Sequence, residues 1–252
     1  MRTTWRVFML ACGVSLFLAM AGCGDDDDDP STDFQASVDL SVNFDNGGYA
    51  PLVLNYGPTD NPALSDPAYT VTVSGGMAHY QAPERAPGIA FTGMLDLPGT
   101  IALGGDMTFQ WTFPNVAELR ALGNNNPAAW AIAGCYIRGE MNQWVGGLFG
   151  DYWFGYYWDA AGAQSVIRQG AANLVSEPFS AANTVSYRIE KKGTTLRLYA
   201  SYDNANWHQV GGGVTIQLNA GGSDAVAVTN VRVGDTSGAA INVAVDNMLW
   251  NW

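Results

Sequence analysis

Residues 185–210 read VSYRIEKKGTTLRLYASYDNANWHQV, and their spacing decides the fold class. Val185, Tyr187 and Ile189 alternate with Ser186, Arg188 and Glu190, while Leu196, Leu198 and Ala200 alternate with Arg197 and Tyr199. A period of two places each set on its own face of a pleated strand, so both halves are expected to be strands with one apolar face. Gly193 between them accepts the positive φ of a tight turn, and Lys191-Lys192 is expected to be a solvated part of it. The outward face then carries Arg188, Glu190, Arg197 and Tyr199, with its charges paired across strands.

The same pattern extends in both directions. Val38, Leu40, Val42 and Phe44 alternate with Asp39, Ser41 and Asn43, and Asp45-Asn46-Gly47-Gly48 follows as a hairpin signal. Further strands are expected at 69–73, 89–97, 107–113, 129–138, 143–149, 152–158, 226–233 and 241–250. One helical turn is expected around 116–122, ended by Gly123 to Pro127. No β-α-β alternation and no internal repeat occurs. Many short strands without crossover helices predict an all-β fold, a two-sheet antiparallel β-sandwich of jelly-roll type, as a single domain over 34–252.

Arg188-Ile189-Glu190, Gly193, Ser201-Tyr202-Asp203 and Trp207 follow in the order seen in concanavalin-A-like (laminin-G-like) domains, and the segment resembles theirs. Asn204 stands where Gly is commoner in that family, a mild departure because Asn also tolerates the left-handed region. Val243 to Asn247 is similar to the family's final strand. The resemblance implies a concanavalin-A-like sandwich of the lectin and glucanase kind, and with it carbohydrate binding. It also raises a loop calcium site, for which Asp203, Asn204 and Asn206 offer oxygens; an Asx turn accounts for the same residues.

The N-terminus carries an address. Met1 to Arg6 is positively charged, and Val7 to Met20 is an apolar run too short to span a bilayer comfortably. Leu18-Ala19-Met20-Ala21-Gly22-Cys23 then resembles a bacterial lipobox, with Met20 where Leu is usual. Residues 1–22 are thus expected to be a lipoprotein signal peptide, with Cys23 the lipidation site. Ala19-Met20-Ala21 also fits ordinary signal peptidase, which would release a soluble chain. Asp25 to Asp29 follow Cys23, and adjacent carboxylates repel one another, so 23–33 reads as a lipidated cysteine and an extended Asp-rich tether. Several acyl chains on one cysteine would hold the protein stably on a membrane. The expected location is the cell envelope, and Gly24 directly after Cys23 resembles outer-membrane sorting.

Charge narrows the partners. The 252-residue chain has 11 Lys and Arg against 23 Asp and Glu, a formal net charge of −12. Nucleic acid is excluded as a partner, because phosphate binding needs clustered cations. Cys135 is the lone cysteine of the expected domain, so no internal disulfide is available and a small buried apolar role is expected.

The richest stretch for binding is Cys135 to Asp159. With Gly150-Asp151 as a two-residue turn, Phe149 would oppose Tyr152, Leu148 would oppose Trp153 and Trp144 would oppose Tyr157. Phe149, Tyr152, Phe154, Val145 and Tyr156 would then face the core. The other face would show Trp153, a floor of Gly146 and Gly155, Trp144 beside Tyr157, and Asn142 beside Asp159. Aromatic walls, a glycine floor and an amide–carboxylate end suit a sugar ring stacked on an aromatic concave face. Packing under a loop explains the same residues. A glycoside hydrolase or polysaccharide lyase is the lesser alternative: the Glu-x-Asp-x-x-Glu pattern of jelly-roll glucanases is absent, and Glu140 with Asp159 is the best carboxylate pair on offer. His79 and His208 sit in no recognisable motif, and His208 is expected to face solvent. No catalytic residue, resident metal or cofactor is assigned beyond the calcium alternative.

Overall fold

The computed structural model describes residues 40–55, 69–88, 90–92, 94–96, 101–102, 106–138, 152–193, 195–215 and 225–251. The strands begin with β1 (Leu40–Val42), β2 (Val53–Asn55), β3 (Thr70–Ser74), β4 (Met77–Ala82), β5 (Ala90–Phe91) and β6 (Met94–Asp96). Next come β7 (Ile101–Ala102), β8 (Met107–Phe113), the helix α1 (Val116–Arg120), a 3-10 turn at Leu122–Asn125, and β9 (Ala131–Arg138). Then follow β10 (Tyr152–Asp159), β11 (Gly162–Gln169), β12 (Ala172–Pro178), β13 (Val185–Lys192) and β14 (Thr195–Ser201). The chain closes with β15 (His208–Gln209), β16 (Val214–Thr215), β17 (Ala225–Asp235) and β18 (Ile241–Asn251).

The strands form two antiparallel sheets, an all-β jelly-roll sandwich. The first runs β15-β14-β13-β8-β18-β4-β3, with β1 also on β18 and β16 on β14. The second runs β12-β11-β10-β9-β17-β6-β2, with β5 and β7 also on β17. Alternation sets which face of each sheet turns inward. Val185, Tyr187 and Ile189 of β13 and Leu196, Leu198 and Ala200 of β14 are fully buried, as their spacing predicts. Phe109, Trp111 and Phe113 of β8 join them. An aromatic stack runs across this inner face: Trp250 to Phe109 at 4.8 Å, Phe109 to Trp111 at 5.1 Å and Trp111 to Tyr187 at 5.7 Å between ring centroids. From the second sheet Cys135, Phe154, Tyr156, Ile167, Val231 and Val233 complete the core.

Three expectations need correction. Asp45 to Gly48 form a turn, with Gly47 N donating to Phe44 O at 3.0 Å, but not a hairpin: β1 belongs to the first sheet and β2 to the second. Phe44 at φ 61° and Gly47 at φ 70° steer the chain from one layer to the other. Lys191 is not solvated, being only 1 % exposed, because the inward period of β13 continues one step past Ile189. Third, β10 pairs with β9 on one edge, Trp153 opposite Tyr136, and with β11 on the other, Trp153 opposite Arg168. Both edges of β10 are thus taken by β9 and β11, where the expected partner was 143–149, a segment outside the described residues. Trp144 and Asn142 themselves lie outside the described residues.

A hydrogen-bonded chain ties the sheets together at the edge where β12 lies. Tyr202 Oη donates to Glu177 Oε1 at 2.8 Å. Its single hydrogen is thereby used, so Ser165 Oγ must donate to Tyr202 Oη (2.9 Å) and Tyr187 Oη to Ser165 Oγ (2.9 Å). His208 Nε2 reaches the same Glu177 oxygen at 2.7 Å from the other side. Every proton in the chain points toward one carboxylate, running from the buried Tyr187 to the His208 ring, 44 % exposed. Burial holds the phenols of Tyr187 and Tyr202 well above the usual tyrosine range. Edge strand β12 is thus anchored through Glu177 to Tyr202, directly after β14, and to β15.

Candidate functional site

On β10 the side chains divide as the alternation predicts. Tyr152, Phe154 and Tyr156 enter the main core. Trp153 and Tyr157 point the other way, into a second apolar cluster with Ile132 and Val166, against which Trp130 packs. This outer face of the second sheet unites three expected residues: Trp153, Tyr157 and Asp159. The two rings are not open platforms, since Trp153 is 7 % and Tyr157 5 % exposed. Asp159 is half-buried, and its Oδ1 accepts from Ala161 N at 2.8 Å, closing the turn into β11.

Of the expected glycine floor, Gly146 lies outside the described residues, and Gly155 has a different meaning. Gly155 sits opposite Gly134 of β9. A Cβ on Gly134 would meet the Phe154 carbonyl oxygen, and one on Gly155, at φ 125°, would lie 2.8 Å from the Ala133 carbonyl oxygen. The close approach that demands glycine here is that of the neighbouring strand's backbone.

Polar groups on this face come from strands the sequence reading missed. Arg168 of β11 lays its guanidinium over the Tyr157 ring, 4.2 Å from the centroid. Its Nε donates to Gly170 O at 2.9 Å and its Nη1 to Asn173 Oδ1 at 2.6 Å. Asn173 Nδ2 in turn donates to Gln164 Oε1 at 3.3 Å. Burial pushes the Tyr157 phenol above its usual range; the Arg168 charge opposes the shift, and Asp159, a hydrogen-bond partner, adds to it. Arg168 and Gln164 are half-buried and Asn173 is exposed, so a row of guanidinium, amides and carboxylate edges the buried rings. The signal for β11 was present as Gln164, Val166 and Arg168 alternating with Ser165 and Ile167 between Gly162 and Gly170. Its apolar residues, Val166 and Ile167, are adjacent and sit on opposite faces, so they give no one-sided apolar period.

The first sheet's outer face has its own aromatic group. Arg188, fully buried, lies 4.7 Å from the Trp207 centroid and 5.0 Å from that of Tyr199, with Nε 3.4 Å from Glu190 Oε1. Asp203 locks the covering loop by accepting from Ala205 N (2.9 Å), Asn206 N (2.8 Å) and Asn206 Nδ2 (2.6 Å). Those bonds hold its carboxyl well below the usual carboxylate range. The loop considered for calcium is therefore built as an Asx turn, and among the described residues no three His, Cys, Asp or Glu gather to hold a metal ion. Glu140 lies outside the described residues.

Comparison with solved structures supports the fold. A lectin, UEA-II, complexed with galactose superposes with TM-score 0.55 at 12 % identity, over 85 % of this chain and 99 % of that one. The CBM2 module of the Lactobacillus casei BL23 phage J-1 evolved Dit gives TM-score 0.50 at 15 % identity, over 86 % of this chain and 95 % of that one. Lectin I-B4 from Griffonia simplicifolia, in its metal-free form, gives 0.50 at 9 % identity over 84 % and 98 %. No family model matches the chain, and no curated protein does. The sandwich has the concanavalin-A-like jelly-roll fold that these structures share, and at these identities the likeness concerns the fold alone.

Proposed function

We propose that the protein is a lipid-anchored carbohydrate-binding module of the bacterial cell envelope, taking saccharide on the outer face of β10, β11 and β12. The observation that carries this is the row of Arg168, Asn173, Gln164 and Asp159 beside Tyr157. Hydroxyls are recognised by paired donors and acceptors held on rigid strands, and this row offers a guanidinium, two amides and a carboxylate. The lectin-like fold of the galactose-complexed relative is consistent with it. Attachment through Cys23, with 24–33 as tether, follows from the lipobox-like leader; ten extended residues reach about 30 Å.

A second reading has its own support. The burial of Trp153 and Tyr157 leaves little ring surface for sugar stacking and favours a structural or protein-contact module. One experiment separates the two: titrate the purified chain with a polysaccharide panel by calorimetry, alongside Arg168→Ala and Asp159→Asn. Saturable binding lost in both variants supports the saccharide face; a flat response across the panel leaves the second reading. Anchoring is checked by labelled-palmitate incorporation, expected in the wild-type chain and absent in Cys23→Ala.

A further inference from the structure

We propose that the saccharide held at this face is acidic, its carboxylate or sulfate group seated on the Arg168 guanidinium; this rests on the saccharide-binding reading above. Arg168 is fixed before any ligand arrives. Its plane stacks on Tyr157, and its Nε and Nη1 are directed at Gly170 O and Asn173 Oδ1. All these partners are neutral. Among the described residues no carboxylate lies within ion-pair distance of Arg168, whereas Arg188 has Glu190 at 3.4 Å.

A pre-set guanidinium loses little side-chain entropy on binding, and its planar fork matches a carboxylate or sulfate better than an ammonium does. Asp159 is a counter-charge on the face, and its Oδ1 is engaged by Ala161 N. The chain as a whole carries −12, so an acidic polymer is repelled except where such a site offsets the repulsion.

The test titrates the purified full chain, in mild detergent, with polygalacturonate, dextran sulfate and neutral dextran at low and high salt. At least one acidic polymer is expected to bind about tenfold or more tighter than dextran, more weakly at high salt; which one binds separates carboxylate from sulfate. Arg168→Gln is expected to weaken that binding by about tenfold or more, the loss of a charged hydrogen-bond partner. Arg168→Lys, which keeps the charge without the fork, should fall between and guards against a folding defect. Dextran binding as tightly as the acidic polymers overturns the acidic assignment and leaves the saccharide reading standing. Undiminished binding by Arg168→Gln also overturns it, and silence across all three polymers removes both.

Discussion

Two outer faces of this sandwich place an arginine against aromatic rings, and they are finished in opposite ways. On the first sheet Arg188 is sealed by Trp207 and Tyr199 and paired with Glu190. On the second sheet Arg168 lies over Tyr157, remains half-buried, and is bonded to a carbonyl and an amide. A cation that is covered and neutralised contributes to the folded state, whereas one that is oriented, reachable and without a carboxylate is available to something outside. The shared motif therefore does not identify function; the difference lies in what covers the charge and what balances it.

The largest effect expected from this contrast is at Arg188. Arg188→Ala removes one partner of a buried pair and empties the space under two rings, at a cost of about 3–5 kcal/mol, to be read from urea unfolding midpoints. A loss below 1 kcal/mol would break the distinction between a structural and a binding arginine. Gly134→Ala comes next, because its Cβ collides with the Phe154 carbonyl and must part β9 from β10. A loss of about 2–3 kcal/mol is expected on the scale of overpacking, measured by thermal melting with soluble yield.

Alkaline pH sharpens the picture of the interior. Burial raises the phenols of Tyr156, Tyr187 and Tyr202 in the folded state. Above the unfolded value of about 10 the unfolded chain releases protons that the folded chain keeps, so stability present below that pH falls as pH rises. Ultraviolet titration should show these three tyrosines ionising only together with unfolding; independent ionisation while the fold persists would contradict their burial. The smallest stability effect is expected at Arg168. Arg168→Ala should shift stability by less than about 1 kcal/mol, since a partly exposed cation–π contact is worth little, while changing binding far more. A large stability loss there would place Arg168 with Arg188 and remove the contrast.

Much of the fold is legible in the spacing of side chains alone. Alternation in β8, β13, β14 and β18 marks long strands with large apolar residues on one face, and these were located to within a residue or two. The strands β4, β11 and β12 give weak signals: β4 buries only Ala78, Tyr80 and Ala82, and β11 and β12 carry their apolar residues as adjacent pairs, Val166-Ile167 and Leu174-Val175, which show no period of two. That weakness conceals the site. Trp153, Tyr157 and Asp159 were picked out and do share a face, yet the partners that give the face its chemistry, Arg168, Gln164 and Asn173, come from the unanticipated hairpin. The same weak signal hides the register: without β11 in view, the segment just upstream offers itself as the partner of β10, whose neighbours are β9 and β11.

The sequence by itself determined the layers, because a period of two assigns each side chain to a face whatever strand lies beside it. It also determined the face on which Trp153 and Tyr157 stand. Only the tertiary structure decided which strands are neighbours, and with that which charges meet. Arg188 meets Glu190 on its own strand under a loop that folds back over it, while Arg168 meets Tyr157 from the strand on one side and an amide from the strand on the other. The physical reason is that strand order is set by how two sheets bury their combined apolar surface, a property of the whole chain that no local spacing records.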